Sequence, residues 1–376
     1  MTPFNIPYVH GKELSYIEDA IAQRKLSGDG RYTKLCQLML EQHLGAGRSF
    51  LTTSCTDALE AAAILARIEP GDEVILPSYT FVSTANAFAL RGAQLRFADS
   101  RPDHPNMNVE HVATLITPRT RAICVVHYAG VAVDMDAVLK LANEYGLVVI
   151  EDAAQGIAAR YKGQPLGTIG ALGTFSFHET KNINAGEGGS LHVNDPTLVA
   201  RAEIVREKGT NRSAFFRGEI DKYNWVDIGS SFLPSELIAA FLYAQLENMG
   251  AIQSQRHTVW NTYESLLRQL PSLADVSTPA IPQWADHNAH MYYLVVDSID
   301  TRTALIQYLR DNGASPAFHY QPLHQSEHFK RNNISAELPE AKRYGDCLIR
   351  LPLFNDLDTK EAARIAHLCI EFFAAR

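Results

Sequence analysis

Short runs of apolar, β-branched residues alternate with longer helical patterns through the first part of the chain. The strand-like runs cover residues 49–52, 73–76, 94–98, 121–126, 147–150 and 190–193. The helical patterns between them include residues 57–66, 134–145 and 196–208. Strands that alternate with helices are typical of a mostly parallel sheet covered by helices on both faces. The pattern therefore predicts an α/β fold.

The pattern changes after about residue 250. A long polar helical pattern at 253–270 is followed by a proline-containing stretch and a strand-like run at 291–296. The 376 residues exceed the roughly 250 to 300 at which a single core stops growing. We expect a large domain at 1–250, including the N-terminal segment, and a smaller C-terminal α/β domain at 251–376. Residues 209–229 have little regular pattern, which indicates a functional loop or an interface.

Charge and cysteine content exclude several classes of protein. The formal net charge of -8 does not favour binding to nucleic acid or to an anionic membrane. The five cysteines are scattered, with no C-x-x-C pair, so we expect reduced thiols in a cytoplasm. No run approaches the roughly 18 apolar residues of a membrane span, and the chain does not start with a basic and then an apolar region. The histidines at 287, 290, 324 and 328 form no recognised metal motif, so no metal is expected.

Two short motifs carry the candidate chemistry. The sequence E-D-A-A-Q at 151–155 follows a buried, strand-like run, and S-F-H-E-T-K-N at 176–182 follows another. Enzymes that use pyridoxal phosphate supply a Schiff-base lysine, a carboxylate for the pyridinium nitrogen and an anchor for the phosphate. The two motifs contain a candidate for each of these, so they favour a pyridoxal-phosphate enzyme.

Lys181 is the candidate Schiff-base residue. Its amine must be neutral to attack an aldehyde, and burial favours the neutral form. Most lysines are instead solvated surface groups. Here, however, an apolar strand at 173–177 precedes Lys181 and a glycine-rich turn at 184–189 follows it, and an exposed lysine needs neither. Ser176 could offer its hydroxyl to the phosphate.

Asp152 lies at the carboxyl end of a predicted parallel strand, which is where open α/β sheets hold their ligands. A carboxylate beside the pyridine nitrogen keeps that nitrogen protonated. An equally good interpretation of the aspartate alone is a helix N-cap. Gln155, further along the motif, could hydrogen-bond the phenolic oxygen of the cofactor.

Two further segments have weaker patterns. Residues 53–56 lie between a strand and an alanine-rich helix, so the backbone N–H groups at the helix start could bind phosphate. Thr56 could equally be an N-cap. Phe81 follows the next strand, and its ring could stack on a pyridine face, although an isolated phenylalanine is more often part of the core.

Together these motifs resemble the DegT/DnrJ/EryC1/StrS family of sugar aminotransferases, within the fold-type I, aspartate aminotransferase-like enzymes. The resemblance runs from Pro3 to about Phe354. It implies pyridoxal 5′-phosphate as the cofactor and Lys181 as the catalytic residue. It also implies cofactor contacts at Ser54, Cys55, Thr56, Phe81, Asp152, Gln155, Ser176 and Lys181.

Finer features resemble a subset of this family. Two motifs, H-E-T-K at 178–181 and R-E-K-G-T-N-R at 206–212, are similar to those of family members that act in the synthesis of enterobacterial common antigen. The resemblance implies transfer of an amino group from L-glutamate to C4 of dTDP-4-dehydro-6-deoxy-D-glucose, a nucleotide-linked keto sugar. It also implies a homodimer with a shared active site, in which Ser231 replaces an asparagine that reaches the partner's phosphate. The candidate substrate contacts are His178, Arg206, Lys208, Arg212, Tyr320 and His324, the three basic residues at 206–212 being candidates for carboxylate or diphosphate charge.

Three other functions remain open at this point. A sugar dehydratase of the same fold typically has histidine at the lysine position, so Lys181 argues against it. A pyridoxal-phosphate-binding regulatory protein could keep the pocket without turnover. An aminotransferase could also act at C3, or give other stereochemistry, because pocket shape decides such choices.

Overall fold

The computed structural model of the protein describes residues 1–272, 275–332 and 336–376. The strands, numbered along the chain, are β1 Arg48–Thr52, β2 Glu73–Pro77, β3 Gln94–Ala98, β4 Thr120–Val126, β5 Val148–Asp152, β6 Arg160–Tyr161, β7 Gln164–Pro165, β8 Leu172–Ser176, β9 Gly189–Val193, β10 Val276–Ser277, β11 Ala285–Asp286, β12 Tyr293–Val296, β13 Ala317–Phe318 and β14 Leu348–Arg350. The α-helices are α1 Glu13–Ala22, α2 Arg31–Leu44, α3 Cys55–Leu65, α4 Val82–Ala89, α5 Val109–Leu115, α6 Met135–Tyr145, α7 Val199–Arg206, α8 Arg212–Phe216, α9 Glu236–Glu247, α10 Met249–Leu267, α11 Ile299–Asp311, α12 Glu327–Asn332, α13 Pro339–Cys347 and α14 Thr359–Ala374.

A seven-stranded sheet in the order β1-β9-β8-β5-β4-β2-β3 forms the centre of the larger part. The neighbours from β8 through β3 run parallel, and β9 lies antiparallel between β8 and β1. Parallel neighbours need crossover connections, which here contain helices such as α4 between β2 and β3 and α6 between β4 and β5. The predicted α/β fold with a mostly parallel sheet is confirmed.

The strand register brings the candidate residues to one edge of this sheet. Asp152, the last residue of β5, pairs with Val126 of β4 and with Thr174 of β8. Ser176, the last residue of β8, pairs with Gly189 of β9. Because the carboxyl ends of parallel strands meet at one edge, the residues after β5 and β8 come together there.

The alanine-rich helix α3 packs deep in the core behind this edge. Ala58, Ala61, Ala62 and Ala63 are each at most 1% exposed, and their small side chains allow α3 to lie close to the sheet. Ser54 is the N-cap, and its Oγ accepts from the Asp57 N–H at 3.0 Å. The cap fixes the start of α3 beside the ends of β1 and β8.

A second sheet, in the order β10-β12-β14-β13, is antiparallel and built from residues after 275. The predicted boundary at residue 250 falls in the first turn of α10. The N-terminal segment, which the prediction assigned to the large domain, contacts the second sheet region: the Thr2 N–H donates to the Gly313 carbonyl at 2.8 Å. β11 returns to pair with β6.

The segment 209–229 contains one short helix, α8, that the sequence pattern does not predict. This helix has only five residues, and its N-cap residue Asn211 forms no side-chain cap hydrogen bond. Its surroundings expose large apolar side chains, with Phe216 at 67% and Trp225 at 81% exposure. Within the described residues, none of the helices is both apolar enough and long enough to span a bilayer.

Candidate active site

A cavity of about 390 Å³ lies at the carboxyl edge of the seven-stranded sheet. It is lined by residues of both sheet regions. Ten residues predicted from the sequence line it: Ser54, Cys55, Thr56, Phe81, Asp152, Gln155, Ser176, His178, Lys181 and Tyr320. The fold therefore brings together all three predicted parts of a cofactor site.

Lys181 lies in the turn that follows β8. The turn is fixed by the Lys181 N–H, which donates to the His178 carbonyl at 2.9 Å, and by Phe177, which is fully buried. Burial lowers the pKa of the Lys181 amine, although Cys55 and Asp152 oppose this effect. A lower pKa increases the fraction of neutral amine, which is the form that attacks a carbonyl.

Asp152 is a buried carboxylate that forms no ion pair with any of the described residues, although the charge of Lys181 acts on it. Thr84 Oγ1 donates to Asp152 Oδ2 at 2.7 Å, and the Ala154 N–H donates to Oδ1 at 3.1 Å. Burial raises the pKa of Asp152, and these two hydrogen bonds oppose the rise. No helix begins at this point, so the carboxylate holds a turn and is not a helix N-cap. A cationic ring nitrogen nearby would offset the cost of burying this charge.

The start of α3 forms a cradle for an anion. The first N–H groups of a helix have no partner inside the helix, and here the groups of Cys55 and Thr56 lie at the cavity. Thr56 Oγ1 is 2.8 Å from Ser83 Oγ, which orients the hydroxyl at the helix start. Gly189 lets β9 approach this turn, because an added Cβ would lie 2.3 Å from the Ser54 carbonyl carbon.

We expect Gly189→Ala to damage this cradle. The new Cβ would also lie 2.4 Å from the Cys55 nitrogen, so backbone must shift, and overpacking of this kind costs about 1–3 kcal/mol. The unfolding temperature of the cofactor-free protein should fall, and pyridoxal phosphate should bind more weakly. Gly250→Ala is the matched control, since nothing lies within 4 Å of its added Cβ. Equal cofactor affinity in the two variants would contradict the assigned role of this close approach.

An aromatic wall closes one side of the cavity. The Phe81 ring is 56% exposed, so it is not a core residue, and it lies 6.1 Å from the Tyr320 ring. Gln155 Nε2 donates to the Tyr320 hydroxyl at 3.2 Å, and Gln155 Oε1 accepts from the Ala129 N–H at 2.6 Å. The arrangement leaves Phe81 free to stack on a ring inside the cavity.

Several lining residues were missed by the sequence analysis: Thr84, His290, His319 and Arg350. His290 Nδ1 is 2.8 Å from Asn182 Oδ1, which ties the residue after Lys181 to a distant segment. His290, His319 and Arg350 reach the site only through the packing of the two sheet regions, and Thr84 lies in α4 of the larger region without a motif of its own. In the part of the chain that the structure describes, no three His, Cys, Asp or Glu side chains are arranged to hold a metal ion.

The remaining predicted residues, which are the cofactor contact Ser231 and four substrate contacts, lie elsewhere in the single chain. Ser231, Arg206, Lys208 and Arg212 line a second cavity of about 890 Å³. The Arg206 guanidinium pairs with Asp29 and also donates to the Leu51 carbonyl at 3.2 Å. His324 Nδ1 is 2.6 Å from Ser78 Oγ, and His324 is not among the residues that line the cavity with Lys181.

Comparison with known proteins decides the family. The model of the DegT/DnrJ/EryC1/StrS aminotransferase family matches residues 7–369. The chain belongs to this family. It is therefore a sugar aminotransferase that depends on pyridoxal phosphate, as the motifs at 151–155 and 176–182 predicted.

Individual relatives are similar to the chain along nearly all of its length. The aminotransferase is 30% identical over 363 residues to the uncharacterized protein MJ1066 of Methanocaldococcus jannaschii, covering 94% of this chain and 92% of the relative. The aminotransferase TlmJ of Streptoalloteichus hindustanus is 29% identical, with a TM-score of 0.90 and coverage of 100% and 99%. DesV of S. venezuelae is 27% identical, with a TM-score of 0.90 and coverage of 99% and 98%.

The residues of the aminotransferase fit its cofactor. The buried carboxylate of Asp152 suits a protonated ring nitrogen, the α3 N-terminus with Ser176 suits a phosphate, and the amine of Lys181 suits an aldehyde. These three groups line one cavity. They come from the end of β5, from the end of β8 with the turn that follows it, and from the start of α3.

Proposed function

We propose that the enzyme moves an amino group from L-glutamate to C4 of dTDP-4-dehydro-6-deoxy-D-glucose. The products would be dTDP-4-amino-4,6-dideoxy-D-galactose and 2-oxoglutarate, which is the reaction of a dTDP-4-amino-4,6-dideoxygalactose transaminase. The desolvated amine of Lys181, in one cavity with Asp152 and the start of α3, carries the amino-transfer part of this proposal. The choice of sugar and of pathway rests on the motifs at 178–181 and 206–212.

The residues divide the work as follows. Bound pyridoxal phosphate supplies an electron sink for the carbon that loses a proton. Lys181 would hold the cofactor aldehyde and would move a proton at the substrate carbon. Asp152 keeps the ring nitrogen protonated. The phosphate would be bound by Ser54, Cys55, Thr56 and Ser176. Gln155 would hydrogen-bond the phenolic oxygen, and Phe81 would stack on the ring face.

We further propose a homodimer whose active sites contain residues of both subunits. The exposed aromatic side chains of 209–229 would be covered by the partner, because large apolar patches are unusual on monomers. Ser231, Lys208 and Arg212 would then reach the partner's site from the second cavity. Asp29 already pairs with Arg206, so Lys208 and Arg212 are the better candidates for diphosphate. We also propose that each subunit has a large domain at 1–250 and a smaller domain at 251–376.

A two-step spectroscopic experiment tests the reaction. L-glutamate should bleach the visible absorbance of the cofactor-loaded protein, and dTDP-4-dehydro-6-deoxyglucose should then restore it. Return of the absorbance would show that the sugar accepts the amine. Bleaching without return would leave amino transfer standing but reject this sugar, and other nucleotide-linked keto sugars would be the next acceptors to try. Visible absorbance that no amino donor changes would instead favour a regulatory protein.

A further inference from the structure

Two residues of the seven-stranded sheet, Ser78 and Asp99, contact the chain around the second sheet. They directly follow β2 and β3, which pair in parallel as far as Pro77 and Ala98. Because the carboxyl ends of parallel strands lie at one edge, both residues lie at the edge that also carries Asp152. The two sheet regions are therefore joined at the same edge of the sheet as the Lys181 cavity.

Asp99 caps helix α13, which belongs to the second sheet region. Leu338, at the N-cap position, provides no side-chain hydrogen bond, and Pro339, at the first helical position, has no N–H. The next two N–H groups donate to Asp99: that of Glu340 to Oδ2 at 3.2 Å and that of Ala341 to Oδ1 at 2.7 Å. An N-cap side chain usually accepts these bonds, and a carboxylate also suits the positive end of a helix. The cap of α13 therefore comes from the other sheet region.

Asp99 is itself held in place by its neighbours. Its N–H donates to His111 Nδ1 at 2.9 Å, and its carbonyl accepts from the Asn108 N–H at 2.8 Å. Its Oδ1 also accepts from the Ser100 N–H at 2.9 Å. Asp99 is only 9% exposed. Its carboxylate is therefore a fixed point to which the start of α13 is attached.

Ser78 forms a second contact between the two regions. Its Oγ lies 2.6 Å from His324 Nδ1 and accepts from the His324 N–H at 3.2 Å. Its carbonyl accepts from the Leu323 N–H at 2.9 Å. The contacts of Ser78 and Asp99 with the second region are together called the clasp. His324, which the sequence predicted as a substrate contact, is thus engaged in the clasp.

The clasp is connected to the wall of the cavity. His319 and Tyr320 line the cavity, and α13 packs against the chain that carries them. A Cβ added to Gly345 of α13 would lie 2.6 Å from Pro322 Cδ and 3.2 Å from the Tyr320 carbonyl oxygen. The ring of Tyr79, next to Ser78 in the chain, lies 5.8 Å from the Tyr320 ring. A shift of α13 or of residues 322–324 would therefore move Tyr320.

We propose that Asp99 is a positioning residue for amino transfer. Through α13, and together with Ser78, it holds the second sheet region where Tyr320 and His319 face Lys181. Lys181 and the other predicted cofactor contacts that line the cavity belong to the first region, so the clasp governs the substrate side of the cavity and not the attachment of the cofactor. This inference rests on amino transfer and not on the choice of sugar.

Substitution of Asp99 separates these two sides of the cavity. In Asp99→Ala, the second-order rate constant for bleaching of the cofactor-loaded protein by L-glutamate should fall about 10- to 100-fold, as expected for a misplacement of about 1 Å. The affinity for pyridoxal phosphate should stay that of wild type. Asp99→Asn should recover most of the rate constant, because asparagine caps helices nearly as well as aspartate.

A cap that lies within one region is the matched control. Asp358 Oδ1 accepts from the Lys360 N–H at 2.9 Å at the start of α14, and both residues follow the second sheet. Asp358→Ala should lower the unfolding temperature but leave the bleaching rate constant unchanged. Equal losses in Asp99→Ala and Asp358→Ala, or a parallel loss of cofactor affinity in Asp99→Ala, would reduce Asp99 to a structural role and overturn the proposal.

Two further measurements cover the other possible failures. If Asp99→Ala does not fold, Ser78→Ala, which removes only the side-chain contacts with His324, should also lower the bleaching rate constant; a wild-type value would overturn the clasp. Amide hydrogen exchange of the cofactor-loaded protein needs no substrate. Asp99→Ala should speed exchange at 319–324 but not at 176–182, and unchanged exchange at 319–324 would also overturn the clasp. If exchange behaves as expected but L-glutamate does not bleach the wild type, the proposed donor is rejected and the clasp stands.

Discussion

Lys181→Ala should lower amino transfer by at least about 10²- to 10⁴-fold, the range that one positioned acid–base group contributes. The loss should be larger still if the covalent attachment of the cofactor also matters. Among the described residues, Lys181 is the only lysine that lines the cavity with Asp152, so no neighbouring amine can replace it. Steady-state transfer to the keto sugar and the visible spectrum of the bound cofactor measure the two roles separately.

A matched lysine variant and a chemical rescue complete this test. Lys162 pairs with Asp136 at 2.5 Å on an exposed surface, so Lys162→Ala should keep wild-type activity. A small primary amine added to Lys181→Ala should restore part of the proton transfer, because the cavity left by the side chain is next to the reacting carbon. Activity of Lys181→Ala within tenfold of wild type would reject Lys181 as the catalytic residue.

The sequence predicted those parts of the site that depend on local order. Asp152 and Ser176 each end a strand, and a parallel sheet places such ends together, so a strand prediction was enough to join them. Lys181 follows from the same logic, since it lies in the turn after β8. The alanine-rich pattern after residue 56 predicted α3, and the N–H groups at the start of that helix form the cradle.

The remaining parts depend on packing that local patterns do not encode. Arg350 ends a strand in the second sheet, more than 160 residues after Lys181 in sequence, and reaches the cavity only because the two sheet regions pack together. His319 and Thr84 are ordinary residue types whose roles come from the groups that they contact. Charge at 206–212 was visible in the sequence, but the pairing of Arg206 with Asp29 was not.

Asp152→Asn should separate electronic assistance from the other roles of the site. The amide cannot keep the ring nitrogen protonated, so we expect amino transfer to fall about 10²- to 10³-fold, as when one preorganised electrostatic partner is removed. Attachment to Lys181 needs only the aldehyde and the amine, so the cofactor should still bind. The maximum rate with L-glutamate and the cofactor affinity test these two expectations.

Asp152→Asn should lower amino transfer but should not lower the stability of the folded protein. This contrast separates a loss of function from a failure to fold. Burial raises the pKa of Asp152 in the folded protein, so the folded state loses stability as pH rises from the ordinary aspartate value through the raised one. Cofactor-free Asp152→Asn should accordingly unfold at the same or a higher temperature than wild type at neutral pH. The asparagine can still accept from the Ala154 N–H and meet Thr84, because Thr84 Oγ1 has Thr80 Oγ1 at 3.0 Å as a second partner.

Thr84→Val distinguishes the charge of Asp152 from its orientation. Loss of the 2.7 Å hydrogen bond from Thr84 removes one contact that opposes the raised pKa of Asp152. The carboxylate stays, so transfer should fall far less than in Asp152→Asn. If both variants lose the same activity, the precise position of the carboxylate matters as much as its charge. If Asp152→Asn keeps near-wild-type transfer and also gains stability, Asp152 has no electronic role and its burial must be explained by another ligand.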